Sequence, residues 1–273
     1  MSNEQTDIDA PLSVAAAFDS IADRFDAELE NDITRSIRER MYGTIADLLP
    51  LGASILDMNC GTGIDAIALS LRGYKVTGID ISSRMILRAR QNASRAGLQH
   101  LRLLTGSFER LSNLVDSPYD LVLSNFGGLN CVEDLSSVSS EVARAVVPEG
   151  YFVAVVMPPF SLREGISYAL RGKWKDAVRR LGSGAKATGF TDRAFTVHYH
   201  APHSLVRVFR PWFEVRRTTG ISVLGPTPQS TSFVRRHPRL AHRLENFDSL
   251  VGSLPVIRSM GDHYMIVLRR RPS

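Results

Sequence analysis

A short apolar run, Ile55 to Met58, leads straight into Asn59-Cys60-Gly61-Thr62-Gly63, and a helical pattern starts directly behind it. Gly61 and Gly63 at such a turn let the backbone pass close to a bound group. The helix start behind them offers free amide hydrogens and a partial positive charge. Asn59, just before the turn, belongs to the few non-glycine types that tolerate a positive φ. Nineteen residues after Gly61 a second apolar run ends in Asp80, within Val76-Thr77-Gly78-Ile79-Asp80-Ile81-Ser82. A carboxylate placed there can accept hydrogen bonds from both hydroxyls of an adenosine ribose. The chemistry on offer is the holding of a nucleoside-bearing cofactor.

The stretch Gly61 to Ala66 also satisfies the G-x-G-x-x-A pattern of dinucleotide-binding folds, so the turn alone leaves NAD(P) open. Three features shift the balance. Asp57 interrupts the first strand, where a dinucleotide enzyme usually carries another apolar residue. The turn falls some 60 residues into the chain, behind two helical patterns. A later strand ends in Ser124-Asn125-Phe126-Gly127-Gly128, a polar-aromatic-glycine cluster at the edge where open α/β sheets bind ligands.

These residues need a scaffold, and the chain's periodicity describes one. Residues 1–12 offer almost nothing to bury and are expected to be a disordered tail. From Ser13 to about Glu28, Val14, Ala17, Phe18, Ile21, Ala22 and Phe25 recur at helical spacing, and a second helix is predicted over Asp32 to Leu49. Strands are expected over Ser54–Met58, Lys75–Ile79, His100–Leu104, Asp120–Ser124 and Tyr151–Met157. Helices alternate with them over Asp65–Leu71, Ser83–Ala96 and Leu135–Val147. Such alternation implies a mostly parallel sheet covered on both faces. Beyond it lie a helical stretch from Ser161 to Leu181, a loose glycine-rich segment, and a short strand at Phe195–His200. A helical turn at Ser204–Phe209 and two final strands, Trp212–Leu224 and His263–Arg269, complete the pattern, with a basic insert from Gly225 to Gly261 between the strands.

Taken as a set, these segments resemble the class I S-adenosylmethionine-dependent methyltransferases. ILDMNCGTG (Ile55 to Gly63) is similar to their first motif, VTGIDIS with Met85 to their second, and YDLVLSNFGGLNCV (Tyr119 to Val132) to their fourth. AAFDSIADRFD (Ala16 to Asp26) resembles the Y-D-x-x-A-x-x-Y-D opening of the bacterial small-molecule members, with Phe18 and Phe25 replacing both tyrosines and removing two hydroxyls. The likeness covers roughly residues 15 to 157. It implies a doubly wound, Rossmann-like α/β fold whose seven-stranded, mostly parallel sheet has its last strand antiparallel. Residues 13–157 would form the cofactor-binding core with its N-terminal helices. Residues 158–273 would supply the remaining strands and two substrate-cap inserts, at about 160–205 and 225–260.

The resemblance also implies site roles. S-adenosyl-L-methionine would be the cofactor and S-adenosyl-L-homocysteine the product, with no metal. Gly61 and Gly63 would admit the methionine part beside Asn59 and Cys60, Asp57 would anchor the cofactor ammonium, and Asp80 would hold the ribose. Ile81 and Phe108 would sandwich adenine. Where the family commonly places an acid near the adenine amine, this chain has Ser107-Phe108. Asn125 and Phe126 would line the site beside the methyl group, with Asn125 also a catalytic candidate. Arg35 and Arg38 could reach the cofactor carboxylate, but their helix periodicity favours a solvated face.

Methyl transfer is an in-line displacement in which positioning carries much of the rate. A hydroxyl acceptor also needs a base within hydrogen-bond reach, for which His198, His200, His203 and His263 are the candidates, His200 and His263 foremost. Pro158-Pro159 reads as a strand terminator.

Bulk properties exclude several alternatives. The 273 residues, 44% hydrophobic and 22% charged, are ordinary for a globular chain, and no apolar run approaches the roughly 20 residues that span a bilayer. Cys60 and Cys131 fall in no metal or redox spacing, and the polar N-terminus is unlike a signal peptide, so a disulfide-free cytoplasmic protein is expected. The net charge of +5 gathers in the C-terminal arginines without interleaved aromatics or a nucleic-acid module, which favours a solvated face. The expected partner is a small-molecule methyl acceptor in bacterial specialised metabolism, with no membrane, nucleic acid disfavoured, and a homodimer left open. The alternatives are a nucleic-acid or protein methyltransferase and an NAD(P)-dependent oxidoreductase.

Overall fold

The computed structural model describes residues 12–181, 185–187 and 191–272. The predicted N-terminal tail falls on residues 1–11, outside the described residues, and residue 12 already opens helix α1, over residues 12–19. A turn separates α1 from α2 (Phe25–Leu29), so the single helix expected over Ser13–Glu28 is broken. Here the Ser20 hydroxyl donates to the Ala17 carbonyl at 2.6 Å, a local bond that competes with helix continuation.

Helix α3 (Asp32–Leu48) starts at a reciprocal cap. The Asn31 side chain accepts from the Ile33 and Thr34 amides, and the Thr34 hydroxyl accepts from the Asn31 amide. Its stripe of Ile33, Ile37, Met41 and Ile45 is buried. The alternation then follows as β1 (Ser54–Asp57), α4 (Ile64–Leu71), β2 (Lys75–Asp80), α5 (Ser83–Arg95), β3 (Arg102–Thr105), β4 (Tyr119–Ser124), α6 (Ser136–Ala145) and β5 (Val146–Val156). The second half holds α7 (Leu162–Ala169), α8 (Trp174–Ala177), β6 (Ala185–Ala187), β7 (Phe195–Val197), α9 (Pro202–Phe209), β8 (Phe213–Ile221), α10 (Thr231–Arg236), α11 (Pro238–Val251) and β9 (His263–Arg270).

Seven strands form one sheet in the order β3-β2-β1-β4-β5-β9-β8. The pairs from β3 through β5 are parallel, and the last strand, β9, is antiparallel to both β5 and β8. Strands buried on both faces read as continuous apolar runs, as in Ile55-Leu56 and Leu121-Val122-Leu123. One face packs under α3, α4 and α5 through Met41, Ile45, Leu69 and Ala89. The other packs under α6 and α9, where the Phe152 and Phe209 rings stack at 5.1 Å beside Phe213. Strand order reverses between β1 and β4, and their carboxyl ends frame the crevice where open α/β sheets take ligands.

Several boundaries differ from the sequence expectation, the strands expected to reach His200 and Leu224 ending at Val197 and Ile221. The helix predicted through Val147 stops at Ala145, and Val146-Val147 already belong to β5; β-branched residues fit the pleat, and Val146 pairs with Tyr119. The stretch from Ser161 to Leu181 is not one helix, because the chain turns at Gly172 with φ +72°. Within the glycine-rich segment, residues 185–187 form β6, paired antiparallel with β7. Residues 182–184 and 188–190 of that segment lie outside the described residues.

Candidate active site

The glycine turn has the backbone that its composition suggests. Gly61 and Gly63 adopt φ of +53° and +84°, and Gly63 caps α4. A Cβ on Gly63 would stand 3.1 Å from the Ala89 Cβ, so glycine also permits the close contact of α4 and α5. Asp80 ties the turn to the end of β2: its Oδ2 accepts from the Gly61 amide and its Oδ1 from the Ser82 amide, both at 2.9 Å. Burial pushes the Asp80 carboxyl up to about 6, against those two amides that favour its charge. Across the crevice, Phe126 and Gly127 leave β4 with φ of +45° and +78°. A positive φ at an aromatic residue is costly, and the Asn125 side chain supports it by accepting from the Phe126 amide at 2.8 Å.

Between these turns opens a cleft. Asn59, Cys60, Gly61, Asp80, Ile81, Phe108, Asn125 and Phe126, all candidates from the sequence, line it together. Asp57, Gly63 and Ser107 are not part of that lining. Asp57 is buried at the end of β1, and neither carboxylate oxygen has a hydrogen-bond partner of good geometry, the Asn59 amide being the group that faces it. Burial first, then the Asp65 charge, holds its carboxyl well above the ordinary range. Asn59 Nδ2 donates to the Asn125 carbonyl at 2.8 Å, while its Oδ1 is buried and unpartnered. Ser107 caps the short 3-10 helix that carries Phe108, and its hydroxyl stands 3.2 Å from Glu109 Oε2. An acid, Glu109, thus stands two residues past the position where the resemblance implies one.

The structure corrects the reading of Arg38 as solvated. Arg35 is exposed and pairs with Asp32, but Arg38 is 8% exposed and lines the cleft. It pairs with Asp65 and, at 3.1 Å, with Glu30, and its guanidinium lies 4.7 Å from the Phe126 ring centre. Burial opposes the Arg38 charge, yet the Asp65 carboxylate outweighs it and the guanidinium is raised further. Asp65, on the first turn of α4, also accepts from Tyr42 Oη at 2.6 Å and Asn125 Nδ2 at 2.9 Å. This hub links α3, α4 and β4. The sequence signal for it was an acid one turn into the helix behind the glycines, three residues past Thr62.

The N-terminal helices close one side of the cleft. Val14, Phe18 and Phe25 line it, and the Phe18 ring packs on Phe25 and Phe195. Their acids fasten them to the core: Asp19 accepts from Ser82 Oγ at 2.5 Å, Asp23 pairs with Arg84 at 2.7 Å, and Asp26 bonds Thr62 and Asn92.

The histidine candidates separate. Nε2 of His200 faces the carbonyls of Leu129 and Val132 at 3.2 and 2.9 Å, where it clamps the turn after β4; burial lowers its basicity. It lies outside the cleft lining. His263, at the start of β9, stands edge-on to the Phe126 ring at 5.9 Å, with Nδ1 3.0 Å from Asp262 Oδ2. Asp262 is held in turn by Arg180 at 2.6 Å, and Arg180 by Glu164 at 2.5 Å. Burial works against the Asp262 charge, but His263 and Arg180 hold its carboxyl well below the usual range. Among the described residues no cluster of His, Cys, Asp and Glu could hold a metal ion.

Residues 55–150 match the family described as "Methyltransferase domain". Over 153 residues the chain is 33% identical to the ubiquinone biosynthesis O-methyltransferase of Paracidovorax citrulli, covering 55% of this chain and 63% of that protein. Over 146 residues it is 32% identical to the demethylmenaquinone methyltransferase of Thermobifida fusca, covering 52% and 60%. The match thus spans less than two thirds of these curated relatives. Among solved structures, the magnesium protoporphyrin IX methyltransferase of Synechocystis with bound S-adenosylhomocysteine superimposes with a TM-score of 0.59 at 17% identity, covering 97% of this chain and all of that one. The matched domain and the seven-stranded sheet support a class I S-adenosylmethionine-dependent methyltransferase. The dinucleotide reading, which the glycine pattern left open, finds no support in these likenesses.

S-adenosylmethionine is the cofactor of this family, and the residues present fit it. Asp57 and Asn59 present buried, unpartnered acceptor oxygens beside a glycine turn, which suits a bound ammonium group. Cys60 and Cys131, also in the lining, have thiols raised by burial and stay neutral.

Proposed function

We propose that the chain transfers the methyl group of S-adenosylmethionine to an oxygen, nitrogen or carbon atom of a small-molecule acceptor. The observation that carries the reading is the orphaned Asn59 oxygen in the cleft lining with Gly61 and Asp80, together with the two orphaned Asp57 oxygens at the end of β1. Relatives named for ubiquinone biosynthesis and demethylmenaquinone methylation support a small organic acceptor over a macromolecule. When bound, the cofactor supplies an electrophilic methyl carbon, which the acceptor takes as sulfur keeps the bonding electron pair.

The chain's residues do the positioning. Asp57 and Asn59 would hold the ammonium, Asp80 the ribose hydroxyls, and Ile81 and Phe108 would flank the adenine. Asn125 and Phe126 form the wall nearest the reacting atoms, braced from behind by Arg38 and Asp65. For a hydroxyl acceptor, His263, whose Nδ1 stands 3.0 Å from Asp262 Oδ2 and whose ring meets Phe126 behind the cleft lining, would take the departing proton. The segments at about 160–205 and 225–260 form the cap that selects the acceptor.

Calorimetric titration with S-adenosylmethionine, S-adenosylhomocysteine and NAD, repeated with Asp80→Ala, tests this. The expectation is binding of the two adenosyl ligands alone, lost or greatly weakened in the variant. Binding of NAD, or of none of the three, would overturn the reading. Once an acceptor is found, His263→Asn should lower kcat while leaving cofactor affinity unchanged. An unchanged kcat would remove His263 from the mechanism.

A further inference from the structure

Ten of the sixteen large apolar side chains exposed among the described residues lie in two short stretches. The first keeps a four-residue spacing through Ile166, Leu170, Trp174 and Val178 and ends at Leu181; Leu170 and Trp174 are 84% and 69% exposed. The second runs along α11 and just beyond it, through Leu240, Phe247, Leu250, Leu254 and Val256. The opposite side of α11 faces inward through Ala241 and Asp248.

Both stretches are basic. Residues 162–181 hold six basic and two acidic side chains, and residues 231–259 hold five and two. They therefore contribute +7 to a chain whose net charge is +5. Arg171, Lys173, Lys175, Arg235, Arg236, Arg239 and Arg243 are exposed and have no ion-pair partner among the described residues. The two stretches are joined at their roots. The Arg163 guanidinium donates to the Leu224 carbonyl at 2.8 Å and lies over the Phe233 ring at 5.1 Å, and the Leu162 amide donates to the Met260 carbonyl at 2.9 Å.

Charge alone suits a solvated face, as the sequence suggests, but exposed Trp, Phe and Leu among the cations do not. The core of a protein–protein interface is depleted in charge and in lysine. Large apolar side chains interspersed with Lys and Arg on exposed helices are instead the makeup of elements that lie in a membrane interface. No helix among the described residues is long and apolar enough to cross a membrane, so the attachment is to the surface.

We infer that the two cap stretches form a docking surface for an anionic lipid bilayer, with Trp174 and Leu250 entering the headgroup region and the seven cations facing lipid phosphates. This stands independently of the methyl-transfer reading. The test is flotation of the full chain with vesicles of phosphatidylcholine alone or mixed with phosphatidylglycerol. Binding is expected only to the mixed vesicles and should fade as salt screens the charges. In an Arg239→Gln/Arg243→Gln double variant it should weaken about thirty-fold. Leu250→Ser should weaken it about tenfold by removing apolar contact, and in a Trp212→Phe background the Trp174 emission should shift to the blue on binding. All these positions are exposed, and circular dichroism checks that the variants fold. Failure to float with mixed vesicles, or equal flotation of all variants, would overturn the inference. So would retention on immobilised polyglutamate without flotation, which would assign the face to an acidic protein. A dimer seen by sedimentation without vesicles and abolished by Leu250→Ser would assign it to a second copy, again against the inference.

Discussion

Replacing Asp65 with asparagine tests the charge hub beneath the cleft. Asp65 accepts from Arg38, Tyr42 and Asn125, and neither it nor Arg38 is more than 8% exposed. Breaking a buried ion pair by removing one partner costs about 3–5 kcal/mol, because the remaining charge stays desolvated. Two features soften that here. Arg38 keeps Glu30 at 3.1 Å, and the amide introduced by Asp65→Asn can turn its oxygen to Arg38 and Asn125 while Tyr42 Oη accepts from its nitrogen. The expected cost is thus about 2–3 kcal/mol. For a chain of this size that lowers the melting midpoint by about 5–10 °C. Arg38→Met should cost a similar amount by stranding the carboxylate, and the double variant should lose less than the two single losses combined, by more than about 1 kcal/mol. Scanning calorimetry on the four proteins gives all the terms. Midpoint shifts under about 1 °C for both single variants, with an additive double, would refute the view that the pair is one electrostatic unit.

Three further outcomes follow from the same geometry. Burial lifts Asp57 well above the ordinary 3.8, so the folded protein holds a proton that the unfolded chain releases near pH 4. Its charge therefore costs stability above that pH, and the cost vanishes as pH falls through it. Asp57→Asn should raise the midpoint at neutral pH yet weaken S-adenosylmethionine binding; an unchanged affinity would count against the ammonium contact. Asp80, pushed up to about 6, must be ionised to receive the ribose hydroxyls, so the cofactor Kd should be about tenfold weaker at pH 5 than at pH 7.5. A flat calorimetric profile over that range would exclude the carboxylate from the contact. Gly128→Ala would bring a Cβ to 2.6 Å from Asn59 Oδ1 and force Asn59 off the Asn125 carbonyl. A loss of about 1–3 kcal/mol in stability with weaker cofactor binding is expected, and wild-type behaviour in both would show that Asn59 is free to move.

Much of the frame was legible in the sequence, for identifiable reasons. Parallel strands buried on both faces must be short apolar runs, and the helices covering them must carry stripes, so Ile55-Leu56 and the Ile37–Met41–Ile45 row could be placed without coordinates. Gly61, Gly63 and Asp80 were readable because a turn that needs positive φ and an acid at the next strand end have few substitutes in residue type. Phe18 and Phe25 were legible as an apolar face but not as a wall of the cleft. Nothing in their spacing reveals that α1 and α2 part at Ser20 and are pinned by Asp19, Asp23 and Asp26 to Ser82, Arg84, Thr62 and Asn92.

Tertiary structure decided the rest. Periodicity assigns Arg38 to a helix face but cannot say that Asp65, Glu30 and the Phe126 ring meet it there, because all three arrive from other elements. The four histidines are equivalent in sequence. Only folding sets His200 against the Leu129 and Val132 carbonyls, and brings the Phe126 ring to His263 and Arg180 to Asp262, since those partners arrive from other elements. The end of α6 was likewise settled by pairing, as Val146 gains more from the sheet opposite Tyr119 than from another helical turn. Local residue type therefore determined which chemistry the crevice between β1 and β4 can host. Long-range packing determined which charged groups are buried there, because burial and the approach of opposite charges are properties of the assembled layers.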